Sequence, residues 1–308
     1  MEKINSINMT NITTKRTIGI ITIATGKYYA EFIPNLKDSI DLNFATDQYQ
    51  IHFYCFTDVL ATRADIQCFP IAHFGWPFST LLRYHWIDEQ LPTLLKHDFL
   101  LYLDADMKVV APLPDSIFDN ELIAVEHPGF MHAGGAFEID RQESSYTPPQ
   151  LRKTYFQGCC WGGKTTAFKN LIQNLNSMVE ADLKNAAIPI WHDESYLNHY
   201  LALHTCTTLP PTFAWPQGES PIDPPYILHL EKAHGSIRQT ESMQLNVIEL
   251  LSAKNMQDEL ELYKKLYLVA HEKCQRLEDR LAKKNLWWLR LREWLAYYKK
   301  SPDKNRNL

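Results

Sequence analysis

The stretch from Phe99 to Asp106 constrains the fold of this chain most strongly. Five apolar residues, Phe99 to Leu103, run directly into two aspartates separated by one residue, Asp104 and Asp106. A continuous apolar run that ends in a polar turn predicts a strand buried on both faces. Because aspartate is a poor strand former, we expect the strand to end where the two carboxylates begin.

Two carboxylates at this spacing repel each other unless a cation lies between them. A hard divalent ion with oxygen ligands, Mn²⁺ or Mg²⁺, suits such a pair. Open α/β sheets bind their ligands beyond the carboxyl ends of the strands. The pattern therefore predicts a metal–diphosphate site at Asp104 and Asp106. The alternative is a solvated pair at the end of a core strand, because the Asp-x-Asp pattern is short and common.

The flanking segments alternate between strand and helix patterns, which predicts an α/β fold with a mostly parallel sheet. Residues 126–163 hold glycine and proline without a clear period, which predicts a long loop region. Helices are expected over 28–44, over 79–95 with Ser79 as N-cap, over 165–180 and over 193–203. Strands are expected over 18–23, 51–56, 99–103, 109–113, 122–125 and 226–230.

Charge is distributed unevenly along the 308 residues. The net charge is −5, yet residues 273–308 contain 11 Lys or Arg against 4 Asp or Glu. The body of the chain is therefore acidic, and its basic end is the part expected to meet an anionic surface. The sequence has no apolar signal core near Met1 and no apolar run of about 18 residues. We expect a cytoplasmic protein whose six cysteines, which lack C-x-x-C spacing, are reduced.

The pattern changes after residue 237. Apolar or small residues recur with heptad spacing from Met256 to Leu281, and the following segment mixes tryptophan with basic residues. We therefore divide the chain into a flexible N-terminus over 1–16, a domain over 17–236 and a helical tail over 237–308. The tail is expected to support homo-oligomerisation or peripheral contact with the cytoplasmic face of an inner membrane through 256–298. The alternative is a helix packed against its own domain.

A second informative stretch runs from Trp191 to Ser195 and precedes a helix pattern. Carboxylates at a helix N-terminus are stabilised by free backbone amides and by the helix dipole. Capping alone would therefore explain Asp193 and Glu194. The aromatic ring and the imidazole that precede them, at 191 and 192, favour a sugar site. In such a site the ring covers a sugar face while the polar groups bind hydroxyls.

Taken in order, these stretches resemble the family 6 glycosyltransferases, which include the histo-blood-group A and B transferases, the α1,3-galactosyltransferases and bacterial relatives. The resemblance implies a GT-A fold and retaining α1,3 transfer of galactose or N-acetylgalactosamine from a UDP-sugar. The implied acceptor is a galactoside on an oligosaccharide or glycolipid, such as a fucosylated blood-group-like glycan or lipopolysaccharide, and no nucleic-acid partner is implied. The resemblance covers roughly 17–235 and is carried by residues 24–28, 56–58, 104–106, 127–130, 162–163, 191–195 and 197–200.

The resemblance also implies roles for individual residues. Glu194 matches the catalytic position, either as the nucleophile of a covalent intermediate or as a stabiliser of oxocarbenium-like charge. Asp104 and Asp106 match the ligands of Mn²⁺, with Mg²⁺ as a possible substitute. The other donor-binding positions are Ile23, Thr25, Tyr28, Arg83, Gln157, Cys159, Asp193 and Lys232. The acceptor-binding positions are His127, Trp191, His192, Trp215 and again Glu194.

Donor and acceptor choice stay open at this point. Gln157 and Cys159 align with the segment that sets donor choice. The size of Cys159 favours galactose, whereas Gln157 could hydrogen-bond an acetamido group. Near Trp215, Pro216 replaces an acidic acceptor contact of the mammalian enzymes. The exact acceptor is therefore not fixed by the resemblance.

Two other functions fit parts of the sequence. Aspartyl phosphatases also place Asp-x-Asp after a buried strand, but they need a small hydroxyl or β-branched residue where this chain has Lys108. A non-catalytic sugar-binding scaffold oligomerised by the tail is the second alternative. For individual residues, Arg83 could be an ordinary surface charge on a helix, and Tyr28 a half-buried helix residue.

Overall fold

In the computed structural model, the chain is described over residues 15–44, 48–59, 63–74, 77–131, 134–185, 187–221 and 223–232. The strands in these ranges are β1 (Arg16–Ile23), β2 (Tyr49–Thr57), β3 (Gln67–Pro70), β4 (Phe99–Leu103), β5 (Met107–Val109), β6 (Leu122–Glu126), β7 (Phe156–Lys164), β8 (Thr207–Leu209), β9 (Trp215–Pro216) and β10 (Ile227–His229). The α-helices are α1 (Lys27–Asn43), α2 (Phe78–Leu81), α3 (Arg83–Glu89), α4 (Leu91–Leu94), α5 (Thr165–Lys184) and α6 (Asp193–Leu203).

Seven strands form a central sheet in the order β3-β2-β1-β4-β7-β6-β8. The pairs β3/β2, β2/β1, β1/β4 and β6/β8 are parallel, whereas β7 runs antiparallel to both of its neighbours. A small second sheet has the order β5-β10-β9. The expected α/β class with a mostly parallel sheet is confirmed, and this architecture is consistent with a GT-A-like fold.

Strand β4 lies between two apolar layers, as its continuous apolar run predicts. Phe99, Leu101 and Leu103 pack with α1 on one face of the sheet. Leu100 and Tyr102 pack with α3, α5 and α6 on the other face. All five residues are fully buried, and the strand ends before the first aspartate. The chain therefore delivers Asp104 and Asp106 to the carboxyl edge of the sheet.

The long loop expected over 126–163 is wrong at its end, because β7 begins at Phe156. This nine-residue strand pairs with β4 on one side and β6 on the other. Glycine at 158, 162 and 163 interrupts the apolar pattern that normally marks a strand. Every residue of β7 except Lys164 is nevertheless buried.

The single helix expected over 79–95 is also wrong. The segment forms the three short helices α2, α3 and α4. Ser79 does not cap the first of them, since Pro77 occupies the N-cap position and makes no side-chain cap hydrogen bond. A break at Gln90 precedes Pro92, whose ring is tolerated only in the first turn of the new helix. The strand expected over 109–113 is wrong as well, because β5 (Met107–Val109) shares only Val109 with it.

The remaining expected helices and strands are confirmed to within a few residues, and α6 has the expected bounds. Within the described ranges, no helix is both long enough and apolar enough to cross a membrane. Five cysteines lie in these ranges and all are free thiols. The heptad-bearing tail over 237–308 lies outside the described residues, so oligomerisation, membrane contact and cellular location stay predictions.

Candidate active site

Asp104 and Asp106 follow β4 and differ in their surroundings. Asp104 is half-buried, its Oδ1 accepts a hydrogen bond from the Tyr102 hydroxyl at 2.8 Å, and its backbone N–H donates to the Cys159 carbonyl at 2.9 Å. Asp106 is only 1% exposed. A solvated pair at the end of a strand would show neither feature. Asp106 is therefore buried in the protein, whereas Asp104 is only partly buried and stays open toward solvent.

Arg83 joins Asp104 to helix α6. The residue starts α3 and is 4% exposed, so it is not an ordinary surface charge. Its Nη2 lies 3.3 Å from Asp104 Oδ1, and its Nη1 lies 3.0 Å from Asp193 Oδ2. Nη1 also donates to the Gly158 carbonyl at 2.9 Å, and the guanidinium lies 4.8 Å from the ring centroid of Tyr102. One buried cation thus neutralises carboxylates from two separate elements.

Two basic residues from the end of β10 face Asp106. His229 Nε2 lies 3.3 Å from Asp106 Oδ2, and Lys232 Nζ donates to the same oxygen. Burial acts to raise the pKa of Asp106, but the hydrogen bonds and charges of His229 and Lys232 outweigh it and hold that pKa below its usual range. Lys232 also lies 5.8 Å from the ring centroid of Tyr28 on α1. The structure therefore brings together three of the expected donor-binding residues.

The N-terminus of α6 holds two carboxylates side by side. His192 precedes the helix with φ of 50°, a left-handed conformation that is uncommon outside glycine. Asp193 is buried, and its backbone carbonyl accepts a hydrogen bond from the Tyr84 hydroxyl at 2.9 Å. Burial raises the pKa of Asp193 to about 6, although the charge of Arg83 opposes the shift.

Glu194 has both carboxylate oxygens held. Oε1 accepts from the Tyr155 hydroxyl at 2.8 Å, and Oε2 accepts from the Gly158 backbone N–H at 2.8 Å. Burial raises the pKa of Glu194 to about 7, while these two donors act to lower it and the charges of Asp193 and Asp104 act to raise it. A carboxyl group with a pKa near neutrality, fixed at two points, is suited to act as a nucleophile, base or charge stabiliser.

The absence of a side chain at Gly158 leaves room for this arrangement. A Cβ placed there would lie 3.2 Å from Asp193 Oδ2 and 3.4 Å from Glu194 Oε2. The missing side chain lets strand β7 approach the α6 carboxylates closely enough for its backbone to bond them. The Gly158 N–H donates a hydrogen bond to Glu194, and the Gly158 carbonyl accepts one from Arg83.

Sequence reasoning assigned no role to Tyr155, Gly158 and Asn198. Asn198 Oδ1 accepts from the Phe156 N–H at 2.7 Å, and its Nδ2 donates to the Phe156 carbonyl at 2.9 Å. The same Nδ2 donates to the Glu194 carbonyl at 2.9 Å, one helical turn earlier. Asn198 thereby fastens α6 to β7. The i, i+4 spacing from Glu194 was the available signal, because it places both residues on one helix face.

The two expected donor-choice residues are buried and bonded to each other. Cys159 Sγ lies 3.4 Å from Gln157 Oε1, and Gln157 Nε2 donates to the Ala214 carbonyl at 3.2 Å.

The expected nucleotide side lies at the end of β1, where Thr25 is buried and Ile23 is half-buried. The backbone N–H of Gly26 donates to the carboxylate of Asp58, just after β2, at 2.7 Å.

The expected acceptor residues differ in their exposure and contacts. Trp191 is 43% exposed, and its carbonyl accepts the Glu194 N–H at 3.0 Å. His127 is half-buried, and burial lowers its pKa. Trp215 lies on β9, and its indole N–H donates to the carbonyl at position 219, so this group is bonded within its own loop. None of these contacts tests a sugar-binding role.

The carboxylates at 104 and 106 suit a particular kind of metal site. No group of three or more His, Cys, Asp and Glu in the described ranges is arranged to hold a metal ion. Mg²⁺-type sites on nucleotides need only one or two protein carboxylates, because substrate phosphates supply further oxygens. The half-buried Asp104 provides an open oxygen ligand of that kind, while Asp106 is already paired with Lys232. The residues therefore fit an ion that enters together with a diphosphate.

Comparison with known proteins gives a consistent set of relatives. A family model for glycosyltransferase family 6 matches residues 4–238. The O-antigen biosynthesis glycosyltransferase WbnI of Escherichia coli is 31% identical over 213 residues, covering 65% of this chain and 88% of that protein. The human globoside alpha-1,3-N-acetylgalactosaminyltransferase 1 is 26% identical over 215 residues, covering 65% and 61%. The rat histo-blood group ABO system transferase 2 is 26% identical over 219 residues, covering 65% and 64%. The match therefore spans less than two thirds of the two mammalian proteins.

The mixed α/β sheet and these relatives together define a glycosyltransferase. Because the family model covers most of its residues, the chain belongs to glycosyltransferase family 6.

Proposed function

We propose that this protein transfers galactose from UDP-galactose to a galactoside acceptor, forming an α1,3 linkage with retention of configuration. The observation that carries the proposal is the position of Glu194. Its carboxylate is held by two donors beside the buried Arg83–Asp193 pair, at the sheet edge where Asp104 emerges. The α1,3-N-acetylgalactosaminyltransferase named among the relatives supports the linkage.

The donor diphosphate would lie between two basic groups. Lys232, which follows β10, pairs with Asp106, and Arg83, at the start of α3, pairs with Asp104. A Mn²⁺ or Mg²⁺ ion held by Asp104 and Asp106 would offset the negative charge that develops on departing UDP. Tyr28, next to Lys232, would stack on the uracil ring, with Ile23 and Thr25 beside it.

Glu194 would act directly on the transferred sugar. In one route its carboxylate bonds the anomeric carbon as UDP leaves, and the acceptor hydroxyl then displaces it, so two inversions give retention. In the other route it stabilises positive charge on the sugar while the acceptor attacks from the side that UDP leaves. Both routes need the ionised carboxylate. Asp193 would bind donor hydroxyls in either case.

The surroundings of Gln157 support galactose over N-acetylgalactosamine. Its amide oxygen already faces the Cys159 thiol and its amide nitrogen donates to the Ala214 carbonyl, so both ends of the side chain are engaged. Cys159 fills space that glycine or alanine would leave for an acetyl group. His127, Trp191, His192 and Trp215 are the residues proposed to contact the acceptor.

A donor-by-acceptor screen tests the proposal on the full chain. UDP-galactose and UDP-N-acetylgalactosamine are each incubated with fucosylated and unfucosylated galactosides and Mn²⁺, with and without EDTA. We expect transfer from UDP-galactose that EDTA reduces by at least about tenfold and that Glu194→Gln abolishes without loss of UDP binding. Glu180→Gln, on the outer part of α5, is the matched control and should transfer normally.

The outcomes separate the alternatives. Transfer from UDP-N-acetylgalactosamine alone would overturn the donor assignment but not the reaction. Phosphatase activity without UDP release would favour the phosphatase alternative, and sugar binding without transfer would favour a scaffold. Unchanged transfer by Glu194→Gln would remove Glu194 from the mechanism.

A further inference from the structure

Tyr155 is held on all sides at the entrance to β7. It is 2% exposed, and its ring meets Phe130 and Phe137 edge-on at centroid distances of 5.1 Å each, with His127 at 6.0 Å. Its carbonyl accepts the His127 N–H at 2.8 Å. A Cβ at Gly135, whose φ is 115°, would lie 2.5 Å from the Tyr155 Cβ. The ring therefore has one orientation available to it.

That orientation aims the hydroxyl at Glu194. The hydroxyl donates to Oε1 at 2.8 Å, while the Gly158 N–H donates to Oε2 at the same distance. One donor lies just before β7 and the other lies near its start, and they bind different oxygens of the Glu194 carboxylate. Two-point contact fixes the plane of a carboxylate, whereas the backbone donor alone would leave it free to rotate about one bond.

We propose that Tyr155 is a positioning residue that keeps Glu194 ionised and aimed for the sugar-transfer step, and that ties its orientation to the aromatic cluster at His127, Phe130 and Phe137. The inference rests on the proposed function, since it explains how the catalytic carboxylate of Glu194 is oriented and kept ionised. The cluster links the carboxylate to the 127–137 segment, which holds the acceptor-side His127. Tyr155 acts through its hydrogen bond to Glu194 rather than on the sugar itself.

The sign of the expected pH effect follows from the groups around Glu194. The Tyr155 hydroxyl and the Gly158 N–H favour the ionised carboxylate, while burial and the charges of Asp193 and Asp104 disfavour it. Tyr84 on α3 and Cys159 on β7 also lie within electrostatic range of this carboxylate, and both are neutral at working pH because burial raises their pKa values. Removing the hydroxyl takes away one stabiliser of the anion. The pKa of Glu194 must then rise, and its ionised fraction at a given pH must fall.

The test compares Tyr155→Phe with Tyr196→Phe in the full chain. Tyr196 is a matched control, because it is also fully buried and its hydroxyl also donates to a carboxylate, Asp182 Oδ2, at 2.9 Å. We expect Tyr155→Phe to lower kcat by about 10- to 100-fold, with the KM for the UDP-sugar changed less than about threefold. The acidic limb of the kcat–pH profile should move up by about one pH unit. Tyr196→Phe should lose similar thermal stability and keep both kcat and the pH profile.

A second variant keeps the hydroxyl and reverses the sign. Substituting 3,5-difluorotyrosine at position 155 makes the phenol a stronger donor, so the acidic limb should move to lower pH. An unchanged pH profile in both Tyr155 variants, or an equal kcat loss in Tyr196→Phe, would overturn the inference. If wild type transfers sugar and Glu194→Gln does not, such a result leaves the proposed function standing. If Glu194→Gln transfers normally, the proposed function fails first.

Discussion

At the scale of single residues, Arg83 connects more of the site than any motif suggests. Its guanidinium contacts Asp104 after β4, Asp193 on α6 and the Gly158 carbonyl on β7. Each of these groups carries full or partial negative charge; Asp193 and the Gly158 carbonyl are buried, and Asp104 is half-buried. A buried carboxylate without a partner is strongly destabilising. Arg83 therefore sets the charge balance that allows two carboxylates to face each other.

Arg83→Ala should lower the free energy of unfolding by about 3–5 kcal/mol, because it leaves Asp104 and Asp193 without a cation. Arg63→Ala is the matched control. Arg63 also pairs with two carboxylates, Asp38 and Asp65, but these are well exposed, so its loss should cost about 1 kcal/mol or less. Urea denaturation of both variants measures the difference. Equal losses would show that the Arg83 contacts are no stronger than surface pairs.

At the scale of elements, β7 determines the geometry of the site. It runs antiparallel between β4 and β6, and its first half holds Gly158 against α6. At Gly162 and Gly163 the strand approaches its neighbours so closely that a side chain is excluded. A Cβ at Gly162 would lie 2.4 Å from the Leu100 carbonyl, and one at Gly163 would lie 2.2 Å from the Glu121 carbonyl. The glycines that obscured this strand in the sequence are thus the reason that it fits.

Gly162→Ala should destabilise the fold by about 1–3 kcal/mol, because its methyl group meets backbone that cannot move aside as a flexible side chain would. The comparison is Gly134→Asn. Position 134 has φ of 58° and no neighbouring atom within 4 Å of a Cβ, and asparagine tolerates that conformation, so its cost should stay below about 1 kcal/mol. Guanidinium denaturation measures both. A larger loss at position 134 would contradict the packing argument.

At the scale of the whole molecule, the sequence predicted the elements that carry a strong pattern. Strand β4 and helix α6 were confirmed because a five-residue apolar run and an acidic first turn are local signals. The two breaks within 79–95 were missed, since helix propensity over that segment is high and Pro92 marks only the second of them. Strand β7 was missed because its glycines are explained only by close contacts with residues that are distant in the sequence.

The site residues were also predictable where a local pattern marks them and not where they depend on distant contacts. The carboxylates at 104, 106, 193 and 194 stand out, because charged residues directly after apolar runs call for an explanation. Arg83 and Lys232 were expected from the resemblance, but two other partners did not stand out. Tyr155 and His229 acquire meaning only through contacts across 39 and 123 residues of chain. Such pairings depend on the order of strands in the sheet, which local patterns do not encode.

The raised pKa of the Glu194 carboxyl should cost the whole molecule stability at high pH. Glu194 has its pKa raised from 4.5 to about 7, so the folded protein binds a proton there more readily than the unfolded chain does. Stability from this group is therefore present at pH 5 and is lost as pH rises through about 7. Glu194→Gln removes the ionisable group but keeps its shape, and the Tyr155 hydroxyl can accept from the new amide. We expect Glu194→Gln to be more stable than wild type by about 2 kcal/mol at pH 8 and nearly equal to it at pH 5. Thermal unfolding of both proteins at the two pH values measures this, with Glu180→Gln as control. A difference that is the same at pH 5 and pH 8 would show that Glu194 is not ionised at a cost to the fold.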